Sequence, residues 1–202
     1  MGIETPPTGR PRAFDEETVL DRATEVFWRH GYEGTSLSAL TSAMGINRPS
    51  LYATFGNKEQ LFQRAFARYH ENQLAKARRV LDQPTAHAAI AAFLRASADG
   101  LTADDHPSGC LSIQGGLACS PENSRISEIL AAGRAATESA LEERLSLAEQ
   151  EGDLPDGMDA RALARFVMAL SEGHAVHAAA GASREDLHAS IDIALRVLAP
   201  RS

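Results

Sequence analysis

Thr35-Ser-Leu-Ser-Ala-Leu-Thr-Ser-Ala-Met-Gly-Ile-Asn-Arg-Pro-Ser-Leu-Tyr-Ala-Thr-Phe55 reads as two short helices joined by a glycine turn. Leu37, Leu40 and Met44 recur at helical spacing and define one buried stripe. Gly45 follows at once, where a helix end needs a residue that tolerates the left-handed conformation. Asn47 can cap the next helix through its side-chain oxygen, with Ile46 placed to staple onto Leu51. Leu51 and Phe55 continue the apolar face and leave Arg48, Pro49, Ser50, Tyr52 and Thr54 largely outward. Two short helices around a tight turn form the helix-turn-helix pattern, whose second helix enters the major groove of DNA.

Working outward, the run from Phe14 to Tyr32 predicts one amphipathic helix, over roughly 15–30. Val19, Leu20, Ala23, Val26 and Phe27 point inward, Asp15 is the cap and Gly31 the stop. Downstream, Asn57 and Gln60 stand at capping-box spacing and open a longer helix. From Gly9 to about Tyr69 the chain closely resembles the N-terminal domain of the tetracycline-repressor (TetR-type) family of one-component regulators. The residues that carry the likeness are Phe27, Gly31-Tyr32, Thr35-Ser36-Leu37, Gly45-Ile46, Leu51-Tyr52, Phe55 and Lys58-Glu59-Gln60-Leu61. One departure is Thr41, where the family more often has alanine; threonine is small enough for the same contact.

The 202 residues suffice for one large or two small domains. A hydrophobic content of 44% with only 5% aromatics, much of it alanine, favours helix over sheet. No run reaches the length of a membrane span and no signal-peptide pattern opens the chain, so the expected location is the cytoplasm. Cys110 and Cys119 do not make a secreted-type disulfide framework. The net charge of −7 looks wrong for a DNA-binding protein until it is divided. Residues 1–70 carry eight Lys/Arg and eight Asp/Glu, whereas the remaining 132 carry twelve against nineteen. A neutral head on an acidic body binds DNA through a defined site and not by general adhesion. The head acids Glu16, Glu17, Asp21 and Glu25 all belong to the first helix, which can turn them away from phosphate.

No strand pattern or internal repeat appears, and the expected fold is all-α with about nine helices. Residues 1–13 form a basic arm, 14–57 the helix-turn-helix domain, and 58–202 a helical domain for effector binding and dimerisation. The connecting helix runs from Lys58 towards Leu81, and a helix through Ile90, Phe93, Leu94 and Leu101 follows Pro84. A glycine-broken segment, 109–119, carries both cysteines. Ser120-Pro-Glu122 signals a helix start, and Ser183 with Asp186 caps the last helix. The final two helices are expected near 159–180 and 184–198.

Arg48 has the donor fork for guanine O6 and N7 and is the first candidate for base readout, with Pro49, Ser50, Tyr52 and Thr54 beside it. The resemblance implies phosphate contacts at Thr35, Tyr52 and Lys58. Lys58 also opens a helix whose free N–H groups favour an anion. Arg10 and Arg12, in Gly9-Arg-Pro-Arg12, resemble basic arms that enter a minor groove. A single helix-turn-helix contacts few bases, so a two-fold dimer on a palindromic duplex is expected. Alanines and Gly173 suit close helix approach in a four-helix interface. The expected interface residues are Leu163, Val167, Leu170, Gly173, His177, Leu187, Ile191 and Leu195. The resemblance implies a mainly apolar pocket for a small-molecule effector, with lining candidates Phe62, Phe93, Leu94, Cys110, Ile113, Leu117, Phe166, Leu170 and His174.

Cys110 sits at an expected helix start; it is either an inert buried residue or a sensor of electrophiles or oxidants. His174 and His177 stand at metal-ligand spacing with nothing placed to complete a site, so no metal and no cofactor is expected. The reading is a homodimeric repressor released from its operator by an effector. Alternatives are a thiol-sensing repressor using Cys110, and, from another class, a helical binding protein or enzyme without DNA binding. No phosphate loop, nucleophile elbow or dense acid–histidine cluster supports the enzyme.

Overall fold

A computed structural model describes residues 15–116, 119–154 and 157–199. Arg10 and Arg12 of the arm and Leu117 lie outside the described residues. Those that are described form nine α-helices and one 3₁₀ turn, with no strand among them.

Local chemistry sets the elements of the head. The Asp15 carboxylate accepts from the N–H groups of Glu17 and Thr18, each at 3.3 Å, and starts α1 (Glu16–Gly34). The helical path breaks at Gly31, whose φ of 66° and ψ of 174° an L-residue adopts only at a cost. The chain then makes one more short turn to Gly34, so the expected stop is a kink followed by a turn. Ser36 caps α2 (Leu37–Met44) through the Ala39 N–H at 3.1 Å. Gly45, at φ 68° and ψ 27°, ends α2 in the left-handed form. Asn47 Oδ1 then accepts from Ser50 N–H at 2.9 Å to start α3 (Arg48–Phe55). Asn57 and Gln60 exchange the two bonds of a capping box, at 2.8 and 3.0 Å, and open α4 (Lys58–Leu81). Thr41, the departure noted above, donates its hydroxyl to Leu37 O at 2.9 Å and so carries no unmet polar group.

The body consists of α5 (Ala86–Leu101), the short α6 (Leu111–Gln114), α7 (Ser124–Gln150), α8 (Ala160–Ala179) and α9 (Arg184–Val197). Ser120-Pro-Glu122 opens a 3₁₀ turn, Pro121–Asn123, and α7 proper begins only at Ser124. Proline sets the first turn but leaves it tighter than an α-helix. Ser183 and Asp186 form the capping box of α9.

The buried apolar residues fall into two clusters. One joins α1, α2 and α3 to the first two turns of α4 and takes in Leu111, Ile126 and Leu130 from the body. The other lies between α5, α7, α8 and α9 and includes the far end of α4 at Ala77 and Leu81. At 24 residues, α4 spans about 36 Å and, like α7, has residues deep in both.

Candidate nucleic-acid interface

The helix-turn-helix surface is built by burial of its opposite face. Leu40 and Leu51 are wholly inaccessible, and Met44 and Phe55 nearly so. With those side chains anchored, Arg48, Pro49 and Tyr52 stand exposed on α3, with Ser50 and Thr54 half-buried beside them. Tyr52 is 50% exposed. Arg48 donates to Ser38 Oγ at 3.1 Å, and among the described residues it pairs with no carboxylate. The other head arginines differ. Arg64 pairs with Glu16, Arg68 with Glu17 and Asp21, and Arg29 with Glu25. Glu16, Glu17, Asp21 and Glu25 of α1 are thus matched within the head, whereas Arg48, like Arg22 on α1, pairs with no carboxylate among the described residues.

Two of the expected phosphate contacts are turned inward. Thr35 is 2% exposed, and its hydroxyl donates to Gly31 O at 2.6 Å. The kink at Gly31 leaves that carbonyl in need of a donor, because Thr35 N–H is spent on Tyr32 O. Lys58 holds its ammonium 4.3 Å from the centre of the Tyr32 ring. Burial lowers its pKa, and the nearby Glu33 carboxylate partly offsets this. Tyr52 alone of the three keeps its side chain in the open.

Behind the head lies a cavity of about 410 Å³ between α4, α5, α7 and α8. Of the expected lining residues, Phe93, Cys110 and Ile113 are there. Phe62 is not: it sits in the head core, edge-on to Phe27 at 5.0 Å and to Tyr32 at 5.4 Å. Leu94 is buried in the body core, Leu170 packs against that core, and Phe166 is 46% exposed on the outer side of α8. His174 is buried, with Nε2 2.5 Å from Ser190 Oγ, and burial pushes its pKa down. No group of three or more His, Cys, Asp or Glu that could hold a metal occurs among the described residues.

The cavity's polar wall was not foreseen. Tyr69 Oη lies 3.4 Å from Cys110 Sγ, and burial raises the phenol well above its ordinary pKa. Ser97 and Ser171 share a 2.8 Å hydroxyl bond. Arg134 donates to Ser112 O at 2.7 Å and lies 3.6 Å from Glu172, whose pKa burial raises. Trp28 reaches the same cavity from α1. An aromatic directly after Phe27, at the margin of the stripe that Phe27 belongs to, was the signal available for it.

The expected interface residues divide by face. Leu163, Val167, Leu187, Ile191 and Leu195 are buried in the body's own core, so they do not form an outer surface. Gly173 and Leu170 are half-buried and His177 is exposed. The outward apolar face of α8 and α9 is made instead by Phe166 and Val176, 46% and 52% exposed, with Ile193 and Val197 at 58% and 69%. Both sides of these helices are apolar, so the stripe visible in the sequence was the inner one. No helix is long and apolar enough to cross a membrane among the described residues.

Comparison with known proteins agrees with this architecture. Residues 19–65 match the model of bacterial regulatory proteins of the tetR family, and residues 86–193 match a tetracyclin repressor-like C-terminal domain. The HTH-type transcriptional repressor ComR of Escherichia coli (strain K12) is 36% identical over 181 residues, 89% of this chain and 86% of that protein. The regulator YezE of Bacillus subtilis (strain 168) is 32% identical, covering 94% of this chain and 99% of its own. Among solved structures, a cysteine mutant of the TetR-family regulator CifR, complexed with 26-bp operator DNA, is 41% identical with a TM-score of 0.90, covering 95% of this chain and 100% of that one. Two family models and relatives matched over most of their length therefore place the chain in the tetR family of bacterial regulatory proteins.

Proposed function

We propose that this chain is a homodimeric transcriptional repressor that binds a palindromic DNA operator and is released by a small molecule. The observation that carries the reading is the exposed, unpaired Arg48 at the start of α3, beside the exposed Tyr52. The N-terminal residues of a recognition helix reach base edges, and an arginine there takes guanine. CifR in complex with its operator and the repressor ComR support it as relatives. In this reading residues 14–57 read the DNA, with Arg10 and Arg12 of the arm following the groove. Residues 58–202 bind the effector and dimerise through the outward face of α8 and α9. The chain works by binding alone and catalyses no reaction.

Selecting duplexes from a random pool, then titrating Arg48→Ala and Lys58→Ala against the winner, tests the reading. Arg48→Ala should lose discrimination at one base in each half-site, about 1–3 kcal/mol. Lys58→Ala should weaken all sequences alike and lower the log–log salt slope by about one, its ammonium passing from the Tyr32 ring to a phosphate on binding. No enrichment of any palindrome would refute the function.

A second reading is favoured by the contact of Cys110 with both the cavity and Tyr69 Oη. There, the effector is an electrophile or oxidant that modifies the Cys110 thiol. Diamide or a quinone should then release DNA from the parent protein and not from Cys110→Ser; identical release curves would exclude this route.

A further inference from the structure

Trp28 belongs to α1 of the head, yet it forms part of the wall of the cavity in the body. The ring is 5% exposed, stacked on His106 at 4.6 Å and edge-on to Tyr69 at 5.1 Å. Its indole N–H donates to Gln114 Oε1 at 3.0 Å. Four residues on, the kink at Gly31 frees Tyr32 N–H to donate to Gly115 O at 3.1 Å. Two bonds, about one helical turn apart, therefore fasten the end of α1 to the residues that close α6.

That short helix is itself cavity wall. It begins after Cys110, and Arg134 across the cavity holds the carbonyl of Ser112. On the other side, the chain passes from Tyr32 to Thr35, whose buried hydroxyl holds the kink, and to Ser36, which caps α2. A displacement of α6 has a continuous hydrogen-bonded path to the helix-turn-helix. A ligand shifts the DNA-competent state only through contacts that differ between states, and the Trp28–Gln114 bond joins the head to the cavity wall that a ligand would meet.

We propose that Trp28 is a ligand-contacting residue supplied by the DNA-reading head, and that cavity occupancy reaches α2 and α3 through the Trp28–Gln114 and Tyr32–Gly115 bonds. The proposal rests on the DNA-binding reading above. It adds a second route beside α4, which runs from the head core into the body core.

Trp28 is the sole tryptophan of the chain, so its emission reports this corner of the cavity alone. The test uses the full chain with Cys119→Ser, leaving Cys110 as the only thiol, and N-ethylmaleimide as the occupant. The Cys110 thiolate adds across the maleimide double bond; an S–C bond forms, the neighbouring carbon takes a proton from water, and nothing leaves. Mass spectrometry verifies one adduct. The selected operator should shift Trp28 emission in the unlabelled protein, and the adduct should weaken operator binding about tenfold, within the range usual for coupled sites. In Gln114→Leu, and independently in Trp28→Phe, the labelled-to-unlabelled ratio should fall to about threefold or less. An unchanged ratio in both variants overturns the proposal while the DNA-binding reading stands. If the unlabelled protein binds no duplex, that reading fails and the proposal falls with it.

Discussion

Replacing Thr35 with valine separates two roles for one hydroxyl. Family resemblance assigns it to a DNA phosphate, whereas its 2.6 Å bond to Gly31 O assigns it to the kink. Valine is nearly isosteric, so no cavity opens and the change removes only the hydrogen bond. The Gly31 carbonyl lies at the break in α1 and does not receive Thr35 N–H, which goes to Tyr32 O. Depriving this part-buried acceptor of its partner costs about 1–2 kcal/mol, the lower part of the range for a buried one. At about 2–4 °C per kcal/mol for a chain of this size, the melting temperature should fall by roughly 5 °C. Thr35→Ser keeps the hydroxyl and gives up one methyl, about 0.8 kcal/mol, so it should recover part of the loss. Calorimetric melting of all three proteins is the assay, with operator titrations over a salt series alongside. If Thr35→Val melts with the parent while its affinity for every duplex falls alike, the hydroxyl serves a phosphate. The account of the kink given above would then be wrong.

Ile193→Glu places a charge on the outward face of α9, where the parent residue is 58% exposed. The single chain should lose no more than about 0.5 kcal/mol, while sedimentation shows monomer in place of dimer; an intact dimer would move the interface elsewhere. Asp99 supplies a pH dependence. Burial alone would raise its carboxyl, but hydrogen bonds from His188 and Arg184 outweigh that and hold it below the ordinary value of 3.8. Its stabilisation is therefore present above that value and is lost as pH falls through the lower folded one. The parent should melt above Asp99→Asn at neutral pH, with the gap closing in acid; a gap that persists at every pH would show that the ionised pair contributes nothing.

What the chain disclosed before its structure was whatever rests on neighbours in sequence. Asp15, Asn47, Asn57 with Gln60, and Ser183 with Asp186 all cap the helices they were expected to cap, because a cap needs partners only two or three residues away. The exposed face of α3 was legible for the same reason: it is the complement of the Leu51–Phe55 stripe. The cavity was not. Phe62 and Trp28 are both aromatic and both on the margin between head and body. Only the crossing of α1 over α4 decides that Phe62 joins the head core and Trp28 the cavity. Helix α8 failed differently. Its alanines make both faces apolar, and periodicity names a stripe without saying whether the chain itself or a second copy covers it.

Leu111, Ile126 and Leu130 come from the body but are sealed inside the head's core, each at most 1% exposed. Anyone grafting a foreign reading head onto this scaffold at a junction near position 57 would leave those three leucine-sized plugs facing a socket cut for other side chains. A workable chimera has to exchange them together with residues 15–66, across two segments far apart in the gene.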